Sequence, residues 1–448
     1  MINDFIKQKY NFFIEELSDF IKIKSIASEK EQIKLIVKKL ESKLKKLNFK
    51  AKIVNINNSN PFILAEAGFG EKTLLIYDHY DVMSEGDISN WKTPPFELVR
   101  KNGYWYGRGL ADNKGHLVLR LQAIESVLNI FKKLPLKIKF LIEGEEEIGS
   151  PHIHEFSYKF ADFLKKADLC LWESGDVSYD GNPQMFLGMK GIAYFLLTCN
   201  LGKNDLHSGY ASLVDSSVWR LIYALSTLRD KKGNVLIQKL TKDRICPDEF
   251  ELGLIKKQKI SLKELLNSLG HKEFLANRKS KKEILVNHYY GLTCNICGIW
   301  GGTTNENEIK TVLPNKAFAK IDFRLVKNID SKKVFFYLKD HLEKNGFSDI
   351  EIKELISEPV AYTDYKNPIF QKAVKIISKS YGKEVEISPY AKGSGPMYYV
   401  ASQFNIPCIQ LGAQTISSNI HGPNENIKEV NYFKALKATY DLIIKLDN

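Results

Sequence analysis

The stretch IYDHYDVMSEG occupies Ile76 to Gly86. Its first residues close an apolar run, Thr73-Leu74-Leu75-Ile76-Tyr77, of the kind that forms a buried strand. The run ends in Asp78, His79 and Asp81, two acids around an imidazole. Open α/β sheets bind ligands beyond the carboxyl ends of their strands. The stretch therefore predicts a sheet strand that delivers ionisable groups to a site.

Working outward, the pattern recurs. LPLKIKFLIEGEEE reads as a strand that meets Glu145, Glu146 and Glu147, and ADLCLWESG as a strand ending at Glu173. IPCIQLG is a further strand, followed by a loop holding His421 and a final helix from about Glu429. Strand-like segments also fall near 49–56 and 61–66. Ile33, Ile36, Val37, Leu40, Leu44 and Leu47 recur at helical spacing, and Ser28 with Glu31 predicts a capping box before them. After Asp112, Leu117, Leu121, Ile124, Leu128 and Phe131 share one helical face. Strands alternating with helices predict an α/β fold, a mostly parallel sheet flanked by helices.

Between 187 and 358 the character changes. GIAYFLLTCN and KAFAKIDFRLV read as strands, SSVWRLIYALSTL and SKKVFFYLKDHLEKNGF as helices. This predicts an α+β domain inserted into the first, with a catalytic domain formed from 1–186 and 359–448.

Composition narrows the function classes. The chain has 448 residues, more than one ordinary core accommodates. Its formal net charge is +12, but Lys and Arg are scattered, with no basic-aromatic stripe for nucleic acid. No apolar run approaches the ~18 residues of a membrane span. Six cysteines in this length make no disulfide framework, and Cys294-x-x-Cys297 lacks the second pair that closes a zinc site. These features predict a reduced, cytoplasmic protein with no nucleic-acid or membrane partner.

The recurring acids carry the chemistry. Carboxylates gathered at several strand ends would repel and raise one another's pKa unless a cation joined them. Mixed imidazole and carboxylate ligands suit zinc, with manganese or cobalt as alternatives. A metal-bound imidazole also needs an acceptor on its other nitrogen, and Asp81 lies two residues from His79. His116, His152 and His154 are expected to play no ligand role.

Together the motifs carry a resemblance. HYD, GRGLADNKG, EGEEEIGS, DLHSG and IHGPNE, in this order, resemble the co-catalytic dizinc peptidases and deacylases. That family includes carnosine dipeptidase, cytosolic non-specific dipeptidase, glutamate carboxypeptidase, aminoacylase, acetylornithine deacetylase and succinyl-diaminopimelate desuccinylase. The resemblance implies a zinc-exopeptidase-like sheet with an inserted lid and dimerisation domain. It implies two zinc ions per subunit, held by His79, Asp112, Glu147, Glu173 and His421, with Asp112 bridging. It implies Glu146 as general base, acting on a water the metals share, and Asp81 as support for His79. Glu145 is then an extra acid. In the insert it implies His207 as a residue reaching a partner subunit's active site in a homodimer. Thr311, Arg324 and Ser394 are implied as substrate contacts, Arg324 gripping a carboxylate. The expected reaction is hydrolysis of the amide bond of dipeptides or small peptides with a free C-terminal carboxylate. The alternatives are an N-acyl-amino-acid deacylase using the same metals, and a metal-dependent binding protein. Two departures bear on substrate choice. Glu173 stands where dipeptidases of this family usually have Asp, and SPYAKGSGP places Tyr390, Ala391 and Lys392 before Gly393.

Overall fold

The computed structural model describes residues 1–391 and 393–447; Lys392 lies outside the described residues. The chain divides into two compact units. The first comprises Met1–Leu187, Tyr362–Ser388 and Gly395–Asn448, the second Gly188–Ala361 and Pro389–Ser394.

In the first unit the strand Thr73–His79 is buried at every residue and lies inside a six-stranded sheet. Both faces of such a strand are covered, so its sequence runs apolar without alternation. It pairs in parallel with Lys137–Glu143 on one side and Leu169–Trp172 on the other. Leu169–Trp172 pairs in parallel with Cys408–Gln410. The outer strands Lys50–Val54 and Phe62–Ala67 join antiparallel. The sheet is thus mostly parallel, and the strands that run together end together. The central strand continues through Asp78 and His79, two residues beyond its apolar run.

The helix Lys114–Phe131 packs on this sheet and against the helices Ile2–Ile21 and Glu429–Lys445. Being covered on several sides, it buries Val118, Leu119 and Ala123 as well as the expected Leu117, Leu121 and Ile124. Phe131, expected on that buried face, is 42% exposed because the helix ends there. The expected capping box at Ser28 is also absent. Glu29 N donates to Ile26 O in a tight turn, so Ser28 lies within the turn and the helix begins at Lys30 with Glu29 as its cap.

The second unit is built on a four-stranded antiparallel sheet in the order Thr293–Gly301, Lys316–Leu325, Gly191–Asn200, Glu351–Glu358. One face presents Phe195, Leu197, Ile321 and Phe323 to Leu221, Leu225, Val334 and Leu338 of the helices Ser217–Ser226 and Ser331–Lys344. Alternation along the strands puts Tyr194 and Arg324 on the other face. Cys294 is buried and Cys297 exposed on one strand, both as free thiols. Among the described residues no helix is long and apolar enough to cross a membrane.

Candidate metal centre

The ends of the parallel strands meet at one pocket of the first unit. His79 comes from the end of Thr73–His79, Glu173 from the residue after Leu169–Trp172, and Glu146 and Glu147 from a single helical turn beyond Lys137–Glu143. Asp112 is delivered by the turn before the helix Lys114–Phe131. That turn folds back so tightly that a Cβ at Gly115 would lie 2.0 Å from the Leu110 carbonyl oxygen, which only glycine avoids. His421 adopts φ +62°, uncommon for a residue other than glycine.

Asp112 is the centre of the arrangement. Its Oδ1 lies 3.0 Å from His79 Nε2 and its Oδ2 3.1 Å from His421 Nε2. Each oxygen thus faces a different imidazole. His79 Nε2 is also 3.4 Å from Glu173 Oε2, and His421 Nε2 is 3.0 Å from Glu147 Oε2. Ligand atoms of His79, Asp112 and Glu147 all fall within 4.8 Å of one another. The sequence-identified ligand candidates His79, Asp112, Glu147, Glu173 and His421 therefore form one cluster.

The electrostatics favour cations there. Burial, then the charges of Asp112, Asp81 and Glu147, push the Glu146 carboxyl well above the usual range, against the pull of His79. Burial and Glu146 do the same to Glu173. Hydrogen bonding to Asp112 and Glu147 raises His421 to about 10. Burial resists charge on His79, yet Glu173 and Asp112 hold its imidazole high. The carboxylates thus compete for protons that a bound cation would displace. Glu173 Oε2 is buried and accepts no hydrogen bond, and Glu147 Oε2 is buried with the His421 imidazole nitrogen 3.0 Å away. A buried carboxylate oxygen facing a histidine nitrogen suits a metal ligand. The donor set divides naturally into His79 with Glu173 and His421 with Glu147, Asp112 lying between.

Asp81 supports this pocket by two routes. Its backbone carbonyl takes the shorter contact with His79 Nδ1, at 3.1 Å, while its carboxylate Oδ1 lies at 3.4 Å. The carboxylate accepts instead from the backbone N–H groups of Glu146 and Glu147 at 3.3 and 3.1 Å. Asp81 thus links the imidazole to the glutamate turn. Glu145 faces elsewhere: Oε1 accepts from Asn60 N at 2.8 Å, and Oε2 lies 2.5 Å from His152 Nδ1. His116 is buried and its Nε2 accepts from Ala413 N at 2.8 Å.

Sequence reasoning assigned no role to Glu425 and Arg108, although both lie in quoted motifs. Fully buried, Glu425 accepts from the N–H groups of Ala111 and Asp112 through Oε1 at 2.7 and 3.0 Å. Its Oε2 accepts from Gly109 N and Arg108 Nη1 at 2.9 and 2.7 Å. Arg108 Nη2 donates to the carbonyls of His421 and Gly422. The pair ties the Asp112 turn to the His421 loop. The terminal Glu of IHGPNE was the signal for it in the sequence.

His207, Thr311, Arg324 and Ser394 belong to the second unit. Arg324 Nη1 donates to Ser394 Oγ at 2.9 Å. His207, exposed, pairs with the half-buried Val312 on a short ladder, and Ser208 N donates to Thr311 O at 3.1 Å. The four residues thus form two pairs of neighbours.

A mostly parallel sheet whose strand ends converge on a histidine-carboxylate cavity defines a metal-dependent hydrolase. Comparison with known proteins agrees. Residues 75–445 match the model of peptidase family M20/M25/M40, and the chain belongs to that family. It is 27% identical over 392 residues to a human Beta-Ala-His dipeptidase, covering 84% of this chain and 76% of that protein. It is 27% identical over 391 residues to the Cys-Gly metallodipeptidase DUG1 of Saccharomyces cerevisiae, covering 84% and 80%. The solved structure of an M20 family metallo-carboxypeptidase, Sso-CP2 from Sulfolobus solfataricus, superposes with a TM-score of 0.89 at 37% identity, over 97% of this chain and 99% of that one.

Proposed function

We propose that the chain hydrolyses the amide bond of dipeptides or other small peptides that carry a free C-terminal carboxylate. The observation that carries this reading is Asp112, with its two oxygens turned to two different histidines 3.0 and 3.1 Å away. That geometry suits a carboxylate bridging two divalent ions, for which zinc is the proposed species. His79 and Glu173 would hold one ion, His421 and Glu147 the other. Such ions supply Lewis acidity, polarising a carbonyl and lowering the pKa of a water from 15.7 toward ~7.

The chain's own residues do the rest. Glu146 has no place among these ligands and neighbours the Asp112 and Glu147 charges, so it serves as general base. Its carboxylate takes the proton released as water oxygen adds to the carbonyl carbon, and returns it to the nitrogen as the C–N bond breaks. Asp81 keeps the His79 ring and the Glu146 turn in register. Arg324, steadied by Ser394, offers a planar fork to the substrate carboxylate. Thr311 contacts substrate beside His207, which donates to the carbonyl oxygen as charge develops there.

The second unit serves as lid and dimerisation module, with His207 acting on a partner subunit. Support for a homodimer comes from its exposed apolar side chains. Trp219 and Tyr223, 57% and 54% exposed, stack on the outer face of the helix Ser217–Ser226, and Tyr210 and Leu213 lie exposed just after His207. A reducing, cytoplasmic setting belongs to the same reading, since six cysteines in 448 residues make no disulfide framework.

The deciding experiment assays zinc-, manganese- and cobalt-supplemented protein on dipeptides against N-acetyl and N-succinyl amino acids. Dipeptide cleavage that is lost with a chelator and restored by metal is expected. Faster turnover of the acyl amino acids would replace the reading with a deacylase.

A further inference from the structure

Behind the acidic pocket lies a buried charged network with no part in the hydrolytic chemistry. Arg120 sits on the helix Lys114–Phe131 with no exposure to solvent. Its Nη1 donates to the Tyr77 carbonyl at 3.1 Å and to the Asp78 carboxylate. Its Nη2 donates to the carbonyls of Trp172 and Ser174 at 2.6 and 3.3 Å. Asn113 completes the network. Its Nδ2 donates to Asp78 Oδ1 at 2.7 Å, and its Oδ1 accepts from Ser174 N at 3.3 Å.

Nearly every partner in this network is a chain neighbour of a ligand candidate. Asp78 precedes His79, Asn113 follows Asp112, and Trp172 and Ser174 flank Glu173. Side chains alternate along a strand, so Asp78 turns to the helix while His79 turns to the pocket. Glu173 Oε2 accepts no hydrogen bond, so the main chain on either side of Glu173 does much to set where that carboxylate lies. Arg120 and Asn113 hold that main chain at both flanks. A fully buried ion pair is a weak stabilising device, because desolvation offsets its attraction. Its planar fork, by contrast, fixes separate chain segments at defined spacing.

We propose that Arg120, with Asp78 and Asn113, is a positioning residue set that fixes the spacing of His79, Asp112 and Glu173. This inference rests on the reading of those three as metal ligands. Outer partners of metal ligands typically carry ~10–100-fold in metal affinity or activity. The geometry assigns that share to a guanidinium acting through the backbone.

The test uses Arg120→Lys, which keeps the charge and loses the fork. Zinc dissociation constants are measured by chelator competition well below the melting temperature, where all of the protein is folded, beside kcat and KM at saturating zinc. The expected result is zinc affinity weakened ~10–100-fold and kcat reduced, with KM near that of the unaltered protein. A purely structural role would lower the melting temperature and leave zinc affinity and kcat within twofold, and that result overturns the proposal. Asp78→Asn, of nearly equal shape, is measured in parallel and carries the test should Arg120→Lys not fold. His79→Ala is the control. If it also binds zinc normally, the ligand reading itself has failed; if it alone loses zinc, only the positioning role has.

Discussion

Asp78, His79 and Asp81 stand almost side by side and perform three different tasks. Asp78 faces the helix and Arg120, His79 the pocket, and Asp81 the turn that carries Glu146 and Glu147. With Glu146 as the proposed base, its loss should separate chemistry from metal binding. Glu146→Gln should lower kcat by ~10²–10⁴-fold while the metal content stays that of the unaltered protein, measured by elemental analysis beside the assay. Retained turnover would remove Glu146 as the base. Lys190 offers a test within the second unit. Burial, then Arg324, lowers its ammonium to about 8, and its Nζ donates to the carbonyls of His288 and Gly291. Below pH 8 the folded and unfolded chains both carry this proton, and the folded state bears the cost of burying charge. Between about 8 and the ordinary value of 10.5 the unfolded chain binds more protons, so stability rises with pH. Urea midpoints from pH 7.5 to 10 should therefore improve relative to Lys190→Met across that window. Parallel curves for the two proteins would refute the assignment.

Among the elements, the helix Lys114–Phe131 does most to join fold to site. Its first turn follows Asp112, its middle carries Arg120, and its apolar surface packs the sheet against the two terminal helices. Leu121 is fully buried in it, whereas Phe131 is 42% exposed at its end. Leu121→Ala should cost ~2–5 kcal/mol in denaturant unfolding, since it leaves a cavity in close-packed surroundings. Phe131→Ala should cost distinctly less. Equal losses would show that Leu121 is not enclosed between the sheet and the terminal helices. At this scale the sequence reading was good in the middle of buried elements and poorer at their ends. The strand Thr73–His79 was legible because burial on both sides leaves a plain apolar run. The Ser28 cap was misread because a tight turn at 26–29 competes for the same residues, and spacing alone does not distinguish the two.

For the whole molecule, the stacked Trp219 and Tyr223 make a prediction about assembly. A 51.3 kDa chain should migrate in solution as a species of twice that mass. Trp219→Glu with Tyr223→Glu should yield monomer by light scattering and, if His207 acts across the interface, should lower kcat with the metal content unchanged. A monomeric parent protein would remove the cross-subunit role of His207. The sequence by itself named the candidates: the ordered motifs of a family resemblance and the acids at strand ends marked His79, Asp112, Glu146, Glu147, Glu173 and His421, and the structure gathers them in one cluster. Acids and an imidazole at strand ends were visible because apolar runs precede them, whereas the part each takes came from the ordered motifs of the resemblance. Only the tertiary structure decided how those residues are held. Glu425 on the Asp112 turn, Arg108 on the His421 loop and Arg120 on the flanks of Glu173 act through backbone groups far away in the chain. Backbone carbonyls and N–H groups are the same at every residue, so which of them a distant side chain meets is fixed by folding.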